Sequence, residues 1–399
     1  MYKKLLLALG LSLLSLVLVA CTGQNDKQEE PQTVEIGGIL PLTGDGAAYG
    51  VPMQKVAMIA VEKVNKDGGI NGKELKVIWE DGKCNGKDAA AAAQKLININ
   101  KVQVIFGGFC SSETLGIAPI AEAAKVVVLS TGSSSPDVTN AGDYIFRNYP
   151  SDSSQGKILA GIADTRGLKK VAMLTEENDY TVGIEKSFKE SYKGEIVSEN
   201  FLPTDSDFKT QIVKLKGSNP DAIFVNPQTP AKADLLLKQL QELGVDEIQL
   251  FGNDVVMGAA DILAQYPEFV EGMIGAEASY EAENADFVAM KNAYIQTTGE
   301  KEVPYPSYAA TTYDGIILLA EGFKKGANVK GGMEAGAIKD WLYAVKDWAG
   351  TAGKLTIDQN GDPMAGHKPK VVKEGKTVMY EEEAAKTPEQ QAAEAAAVK

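Results

Sequence analysis

The 399-residue sequence contains a single histidine, His367, and three cysteines. Ser-His-Asp and Cys-His catalytic sites both need a histidine in a preorganised chain of hydrogen bonds. His367 lies between Gly366 and Lys368 in a predicted hairpin loop, so we expect it to be an ordinary surface residue. No cluster of histidine and cysteine has the spacing of a zinc site. These shortages argue against an enzyme and against a metal centre, and we predict neither catalytic residues nor metal ligands.

The glycine-rich segments lack the spacing of nucleotide and calcium sites. Residues 44–50 read G-x-G-x-x-x-G and therefore miss the dinucleotide fingerprint. The segment G-G-I-N-G-K-E at 68–74 has no Ser or Thr after its lysine, as a phosphate-binding loop requires. D-Q-N-G-D at 358–362 is too short for a calcium loop and lacks its final glutamate. We predict no cofactor.

Positive charge is also scarce. The formal net charge is −14, and removal of residues 1–20 with their two lysines would make it −16. A chain of this charge does not bind nucleic acid non-specifically. We therefore predict no nucleic-acid partner.

The N-terminus has the pattern of an export signal. Lys3 and Lys4 precede an apolar run from Leu5 to Ala20, which is short for a membrane span. The run ends in L-V-A-C, and this resembles a bacterial lipobox, in which the chain is cut before the cysteine and the cysteine is lipidated. An ordinary signal peptide followed by a chance cysteine is the alternative. We predict a lipoprotein signal peptide at 1–20, a lipidated Cys21 and an extracytoplasmic protein anchored to the cell membrane, on the periplasmic side or the outer face.

The remaining two cysteines are Cys84 and Cys110. Because exported proteins meet an oxidising environment, a disulfide between them is the default expectation. The polar segment 21–33 that follows the lipobox is predicted to be a flexible tether.

From Val34 onwards, short β-branched runs alternate with amphipathic helical segments. This alternation predicts parallel sheets covered by helices on both faces, an α/β fold. About ten strand candidates are too many for one compact domain of this kind, so we divide the chain into two domains. The predicted strands are 34–40, 75–80, 102–106, 126–130, 171–175, 222–225, 248–251 and 272–276. Two short antiparallel hairpins are predicted at 355–363 and 369–380, and a low-complexity tail at 382–399.

Two serine-rich loops follow neighbouring predicted strands. One reads F-C-S-S-E-T from Phe109, and the other reads S-T-G-S-S-S-P from Ser130. Ligands of open α/β sheets bind outside the carboxyl ends of the strands, where helix N-termini offer free N–H groups. The two loops together predict a site for a carboxylate, held by hydroxyl and N–H groups. The alternative is that the serines only cap helices.

Seven motifs in order resemble one known family. They are I-L-P-L-T-G-D-G-A-A-Y-G, V-N-K-D-G-G-I-N-G-K, the pair Cys84…Cys110, F-C-S-S-E-T, S-S-S-P-D-V-T-N, Y-D-G-I-I-L-L-A and L-T-I-D-Q-N-G-D-P. Over about 34–380 the chain is similar to the type I solute-binding proteins of branched-chain amino acid ABC transporters, the leucine/isoleucine/valine-binding group. The resemblance implies two doubly wound α/β lobes joined by three crossovers, with the ligand in the cleft between them. The lobe boundaries that we expect are 34–149 plus 279–352 and 150–278 plus 353–381.

The resemblance also implies how an amino acid would be held. Ser111 and Ser134 match positions that grip the α-carboxylate through hydroxyl and backbone N–H groups. The carbonyl of Gly132 matches an acceptor for the α-ammonium, and Asp254 matches its acidic partner. A buried ammonium does need a carboxylate or several carbonyls. A helix N-cap is the alternative role for Asp254.

Three tyrosines match the walls of the family's binding site. Tyr49 and Tyr308 match aromatic positions around the ligand's side chain, and Tyr180 matches a tyrosine that reaches across from the second lobe. Tyr49 and Tyr308 have an alternative role as core aromatics. The segment N-P-Q-T-P at 226–230 departs from the family, which often has an aromatic residue there. It makes a stiffer and more polar wall, so a polar or amide-bearing amino acid is as good a candidate as a branched-chain one.

The resulting functional prediction is a lipid-anchored, monomeric receptor. It would capture a small amino acid, or another small carboxylate, and deliver it to an ABC transporter permease. Two alternatives stay open. One is a subunit that presents a small carboxylate or amide to a membrane sensor, and the other is a secreted α/β hydrolase, which the single histidine disfavours.

Overall fold

The computed structural model describes residues 33–326 and 334–381. The predicted signal peptide, Cys21 and the tail 382–399 lie outside these residues. The first strand begins at Thr33, which had been predicted as the last residue of the tether.

A parallel five-stranded sheet is formed by the first part of the described chain, in the order β2-β1-β3-β4-β5. Its strands are β1 Thr33–Leu40, β2 Glu74–Asp81, β3 Val104–Gly107, β4 Val127–Ser130 and β5 Ile145–Arg147. The helices between them are α1 Ala47–Lys66, α2 Gly86–Asn98 and α3 Ser111–Ala124. Every residue of β3 and β4 is buried, which is why these strands read as unbroken apolar runs rather than as alternating ones.

Gly107, the last residue of β3, brings the chain close to β1 before α3 begins. Its φ is +117°, and a Cβ atom at this position would lie 2.0 Å from the carbonyl oxygen of Ile39. Only glycine accepts both conditions. The double glycine of the sequence thus fixes the sharp turn from β3 towards α3.

A second sheet is built mainly from the middle of the chain. Its first five strands are β6 Lys170–Glu176, β7 Glu195–Phe201, β8 Ala222–Asn226, β9 Gln249–Gly252 and β10 Ile274–Ala278. The helices between them are α4 Asp152–Thr165 (before β6), α5 Asp179–Ser191, α6 Lys209–Gly217, α7 Pro230–Glu242, α8 Asp254–Gly258 and α9 Ala260–Leu263. These five strands lie in the order β10-β9-β8-β6-β7, and neighbours in this order pair in parallel.

The chain then returns to the first sheet. Two of the next helices, α10 Ala285–Thr298 and α11 Pro306–Gly326, pack against α1, and α12 Ala335–Tyr343 packs against α11. A two-stranded hairpin follows, β11 Trp348–Gly350 and β12 Gly353–Leu355.

The last part of the chain completes the second sheet. The strand β13 His367–Lys373 pairs antiparallel with β10, and β14 Lys376–Met379 pairs with β13. The predicted hairpin at 369–380 is therefore present, whereas residues 355–363 form only a single bridge, between Ile357 and Pro363. On its way, the chain runs beside β5, where the Arg147 N–H donates to the Gly361 carbonyl at 3.0 Å. The α/β fold class is confirmed, and the chain passes between the two sheets three times; the lobe boundaries stay a prediction.

The surface position predicted for His367 is wrong. The residue is the first of β13 and is 5% exposed, with its ring inside the protein. Its Nδ1 atom lies 2.7 Å from the Ser154 hydroxyl, and its Nε2 atom lies 3.7 Å from a carboxylate oxygen of Asp152. The glycine and lysine beside it suggested a loop because the sequence does not show that this segment meets α4.

Candidate functional site

The start of α3 is held in place by a disulfide and a buried carboxylate. Cys84 and Cys110 are bonded, with their Cα atoms 5.2 Å apart, so the predicted disulfide is confirmed. The fully buried Glu113 accepts the backbone N–H groups of both cysteines, each at 3.0 Å. Burial raises the pKa of Glu113 to about 8, although the N–H donors that face it oppose the shift. The loop after β2 and the first turn of α3 are thereby tied together.

The second serine-rich loop is fixed to the first by hydrogen bonds. The hydroxyls of Ser130 and Ser133 both donate to the carbonyl of Gly108, at 2.6 and 2.7 Å. The Ser111 hydroxyl accepts the N–H of Ser135 at 3.1 Å. Some of these serines therefore build the site rather than contact a ligand. The Ser134 hydroxyl differs, because it is buried without a hydrogen-bond partner among the described residues.

A narrow cavity of about 30 Å³ lies between the start of α3 and a group of aromatic rings. Such a volume holds about two water molecules. Its lining residues are Tyr49, Phe109, Cys110, Ser111, Gly132, Tyr180, Gln228, Val255 and Tyr308. Five of the seven predicted ligand-binding residues are among them. Their roles toward a ligand stay predictions.

Asp254, the sixth predicted residue, lies behind two tyrosines of the cavity wall. Its carboxylate accepts hydrogen bonds from the hydroxyls of Tyr180 and Tyr308, the latter at 2.8 Å. The Tyr149 hydroxyl and the Gln155 amide donate to it as well, at 2.9 and 3.0 Å. All four donors are electrically neutral groups. Asp254 is 3% exposed, so its charge is buried.

Asp254 is not the cap of the helix that it begins. Asn253 caps α8, because its side chain accepts the N–H of Val256 at 3.1 Å. The alternative role of Asp254 as an N-cap is therefore wrong. Its side chain points instead to the tyrosine hydroxyls.

The tyrosines around Asp254 are held in their protonated form. Burial, and after it the negative charge of Asp254, raises the pKa of Tyr149 and of Tyr180 well above the usual value. The same two causes raise the pKa of Tyr308. Each phenol therefore stays a hydrogen-bond donor to the carboxylate over the ordinary pH range.

Ser134, the seventh predicted residue, lies just outside the cavity lining. Its carbonyl accepts the N–H of Asp152 at 2.8 Å, at the start of α4. The nearby Arg147 is fully buried and makes two 2.7 Å hydrogen bonds to Asp362. Arg147 also donates to the Ser135 carbonyl at 2.8 Å. The second serine loop is thus joined to α4 and to the late segment around Asp362.

The single histidine does not activate either candidate serine. His367 forms its hydrogen bond with Ser154 and does not line the cavity. Burial lowers its pKa to about 4. The Asp152 carboxylate faces the Ser134 hydroxyl, but within the described residues His367 is bonded to neither Ser111 nor Ser134.

A wider cleft of about 640 Å³ adjoins the cavity. Gln228 lines both spaces. The cleft wall carries five carboxylates and the cation Lys83, the carboxylates being Asp45, Asp137, Glu176, Glu177 and Asp179. The Ser112 hydroxyl of α3 donates to Asp179 of α5 at 2.5 Å, so both lobes contribute to this cleft.

Sequence reasoning missed four residues of the site. Phe109 and Val255 line the cavity, and Tyr149 and Gln155 bind Asp254. Phe109 precedes a cysteine that had been singled out, so the strand–helix junction itself was a usable signal. Tyr149 and Gln155 lie in the crossover and in α4, outside every motif.

The described residues contain neither a membrane-spanning helix nor a metal site. In residues 33–326 and 334–381, no helix is both long enough and apolar enough to cross a bilayer. Within the same ranges, no group of three or more His, Cys, Asp or Glu side chains has the arrangement of a metal site.

Comparison with known proteins identifies relatives along most of the chain. Residues 33–372 match the model of a periplasmic binding protein family. The leucine-, isoleucine-, valine-, threonine- and alanine-binding protein of Pseudomonas aeruginosa is 27% identical over 336 residues, which are 83% of this chain and 87% of that protein. Both proteins therefore align over nearly their full length.

Two solved structures share the fold. The branched-chain amino acid transporter substrate-binding protein of Streptococcus pneumoniae, in complex with isoleucine, is 31% identical with a TM-score of 0.75, covering 87% of this chain and all of that one. A solute-binding protein of an ABC transporter from Rhodopseudomonas palustris, in complex with 3,4-dihydroxybenzoic acid, is 26% identical with a TM-score of 0.74, covering 88% and 96%. The predicted two-lobed architecture of type I binding proteins is confirmed. The ligands of these relatives differ in class.

Proposed function

Because the chain belongs to the periplasmic binding protein family, within the group of substrate-binding receptors of branched-chain amino acid ABC transporters, we propose that it captures a small α-amino acid and delivers it to a permease. The family consists of receptors rather than enzymes. Binding of a small molecule follows from family membership. The ligand class, the permease and the anchor are the proposal.

The observation that supports an α-amino acid as the ligand is the buried charge of Asp254. Burying a carboxylate is costly, and neutral donors offset less of that cost than a cation does. The four donors in contact with it are neutral. They fill about four lone-pair directions, so a ligand ammonium takes the place of one tyrosine hydroxyl. The ammonium then supplies the positive charge that the site lacks.

The opposite end of the cavity suits the ligand's carboxylate. Ser111 is the first residue of α3, and the first turn of a helix offers free N–H groups and a partial positive charge. The Ser134 hydroxyl, buried and unpaired, lies in the loop that bonds to Ser111. We assign the carboxylate to these two serines, with Gly132 supplying a carbonyl to the ammonium. Tyr49, Tyr180 and Tyr308 surround the remainder of the ligand, and the cavity, which holds about two water molecules here, must widen to admit it.

The test of this function begins with the ligand itself. Protein purified in its native state is denatured, and the small molecules that it releases are identified by mass spectrometry. We expect an α-amino acid. Release of an aromatic acid without an amine, as in the Rhodopseudomonas relative, would contradict the proposal.

Asp254→Asn is the variant that tests the assigned ammonium partner. We expect the affinity for the released amino acid to fall by about 100-fold or more, because the ligand's ammonium loses its only anionic partner, a change of about 2.7 kcal/mol. Isothermal titration calorimetry measures the change. The control is Asp246→Asn, since Asp246 is exposed and far from the cavity lining. Unchanged affinity in Asp254→Asn would refute the assignment.

We also propose that the mature receptor is a monomer anchored through Cys21. The motif L-V-A-C and the polar segment after it support the anchor. One lipidated cysteine holds a protein at a membrane while its domain stays in solution. We expect Cys21→Ser to move the protein from the membrane fraction to the soluble fraction. Retention of that variant in membranes would exclude lipidation as the anchor.

A further inference from the structure

Glu176 is a buried carboxylate that contacts neither the α-carboxylate nor the α-ammonium in the proposed function. It ends β6, is 2% exposed and borders the wider cleft. Its one hydrogen bond to the carboxylate is from the Gln228 N–H, at 2.7 Å. Burial raises its pKa, and the Gln228 N–H and the charge of Lys232 oppose the shift. A carboxylate has about four acceptor directions, and the Gln228 N–H takes one of them.

Tyr49 supplies a second unpaired polar group. Its ring lines the inner cavity, and its hydroxyl is buried without a partner among the described residues. Burial raises the pKa of Tyr49 well above the usual value, and the charges of Tyr305, Asp254 and Glu176 add to the shift.

Gln228 connects the two. Its side chain lines the inner cavity and the wider cleft, and its backbone binds Glu176. Tyr49 thus lies on the cavity side of Gln228, and Glu176 lies on its cleft side. We call these three residues the distal subsite.

We propose that the distal subsite selects an amino acid whose side chain ends in an N–H donor, an amine, a guanidine or an amide. This inference rests on the proposed function, because the α-carboxylate and α-ammonium must be held as described above. The Glu176 oxygens, the Tyr49 oxygen and the Gln228 carbonyl accept from the donor. An aliphatic side chain would leave the Tyr49 hydroxyl buried without a partner and would add no donor to Glu176, and proteins avoid buried unpaired polar groups.

The charges around the subsite favour a positive end group. The Asp45 carboxylate, on the loop between β1 and α1, faces the same cleft and adds to the raised pKa of Glu176. Lys83, the cation of the cleft wall, is paired with Asp88 at 3.2 Å. Asp45 and Glu176 thus both border the cleft, where the charge of Lys232 acts on Glu176, and a cation placed between the two carboxylates would be attracted by both.

L-Ornithine and L-norvaline form a matched pair of probes, since they differ only in the terminal amine. Ligand is removed from the mature protein by unfolding and refolding, and calorimetry then measures ornithine, norvaline, glutamine and leucine. We expect ornithine or glutamine to bind about tenfold or more tightly than norvaline. We expect Glu176→Gln to remove most of the ornithine preference and to leave norvaline affinity unchanged. The control is Glu177→Gln, the exposed neighbour in the same cleft, which should change neither.

The outcomes separate this inference from the proposed function. Tighter binding of leucine or norvaline than of ornithine and glutamine overturns the inference and leaves the amino acid receptor intact. An equal loss of all ligands in Glu176→Gln shows that Glu176 only supports the fold, which also overturns it. Binding of no amino acid at all removes the proposed function, and the inference with it.

Discussion

At the scale of single residues, His367 shows how a titratable side chain can be held neutral by burial. It lies at the start of β13 and packs against α4, with its ring beside Tyr149. The charged and titratable groups around it are Asp152, Asp254 and Arg147. Burial lowers the pKa of His367 to about 4, Asp254 opposes the shift, and Arg147 adds to it. The imidazole is therefore uncharged at neutral pH.

This burial makes stability depend on pH. In the unfolded chain a histidine titrates near pH ~6.5, whereas in the folded protein the pKa is about 4. The unfolded state binds more protons between these values, so the stabilisation is complete above the unfolded pKa and is lost as the pH falls towards the folded one. The loss is roughly 3 kcal/mol. Urea unfolding of the protein and of His367→Asn, between about pH 4.5 and about pH 7.5, should give converging stabilities at the acid end.

The comparison is made between two chains that differ only at position 367. Two parallel stability curves would show that His367 has the same pKa in the folded and unfolded states.

The sequence predicted part of the site at residue resolution. Ser111 follows from the serine-rich loop at a strand end, where parallel sheets bind ligands, whereas Gly132 and the three tyrosines of the cavity lining came from the resemblance. Tyr149 and Gln155 were missed because they act on Asp254 across the molecule, and no local pattern reports such a contact. The position of His367 was mistaken for the same reason.

At the scale of elements, α5 meets the first lobe through a glycine. A Cβ atom at Gly183 would lie 2.7 Å from the Pro136 ring and 3.0 Å from the Ser135 hydroxyl. Pro136 begins the short 3₁₀ helix that follows β4. Close approach of these two elements therefore depends on the missing side chain.

Gly183→Val should hold the two elements apart. We expect ligand affinity to fall by about tenfold, or about 1.4 kcal/mol, because the ligand stabilises the arrangement in which the lobes touch. Small-angle X-ray scattering with saturating ligand should give a larger radius of gyration than that of the wild type. Wild-type affinity in the variant would mean that this contact is not part of the ligand-bound arrangement.

The matched control for this variant is Gly161→Ala. Gly161 is an exposed glycine within α4, and a Cβ atom there would meet nothing within 4 Å. Alanine is a better helix former, so stability should rise by up to about 1 kcal/mol. Affinity should not change.

The strands were predicted unevenly, for physical reasons. β3 and β4 are buried on both faces, and their unbroken apolar runs are visible in the sequence. β7 was missed because it is an edge strand, half-buried, with glutamate and asparagine among its residues. β5 was missed because three residues give no period to detect.

At the scale of the whole molecule, the two sheets were more predictable than the passages of the chain between them. The alternation of strands and helices fixes parallel sheets, since only a crossover can join parallel neighbours. The three passages between the sheets came instead from the resemblance. Their contacts, such as Arg147 with Asp362, join residues 215 positions apart.

The late return of the chain has a consequence for export. The five strands of the first sheet end at Arg147, so this sheet can form from the first part of the chain to emerge. The second sheet stays incomplete until β13 is synthesised, because β13 pairs with β10 and lies about 90 residues further along the chain. At the ~5–20 residues per second of synthesis, the wait lasts several seconds. During that time β10 presents unpaired N–H and C=O groups to any other strand nearby. Besides permanent edge strands such as β7, an exported chain of this topology thus has a temporary edge at β10, and its own last strands cover it.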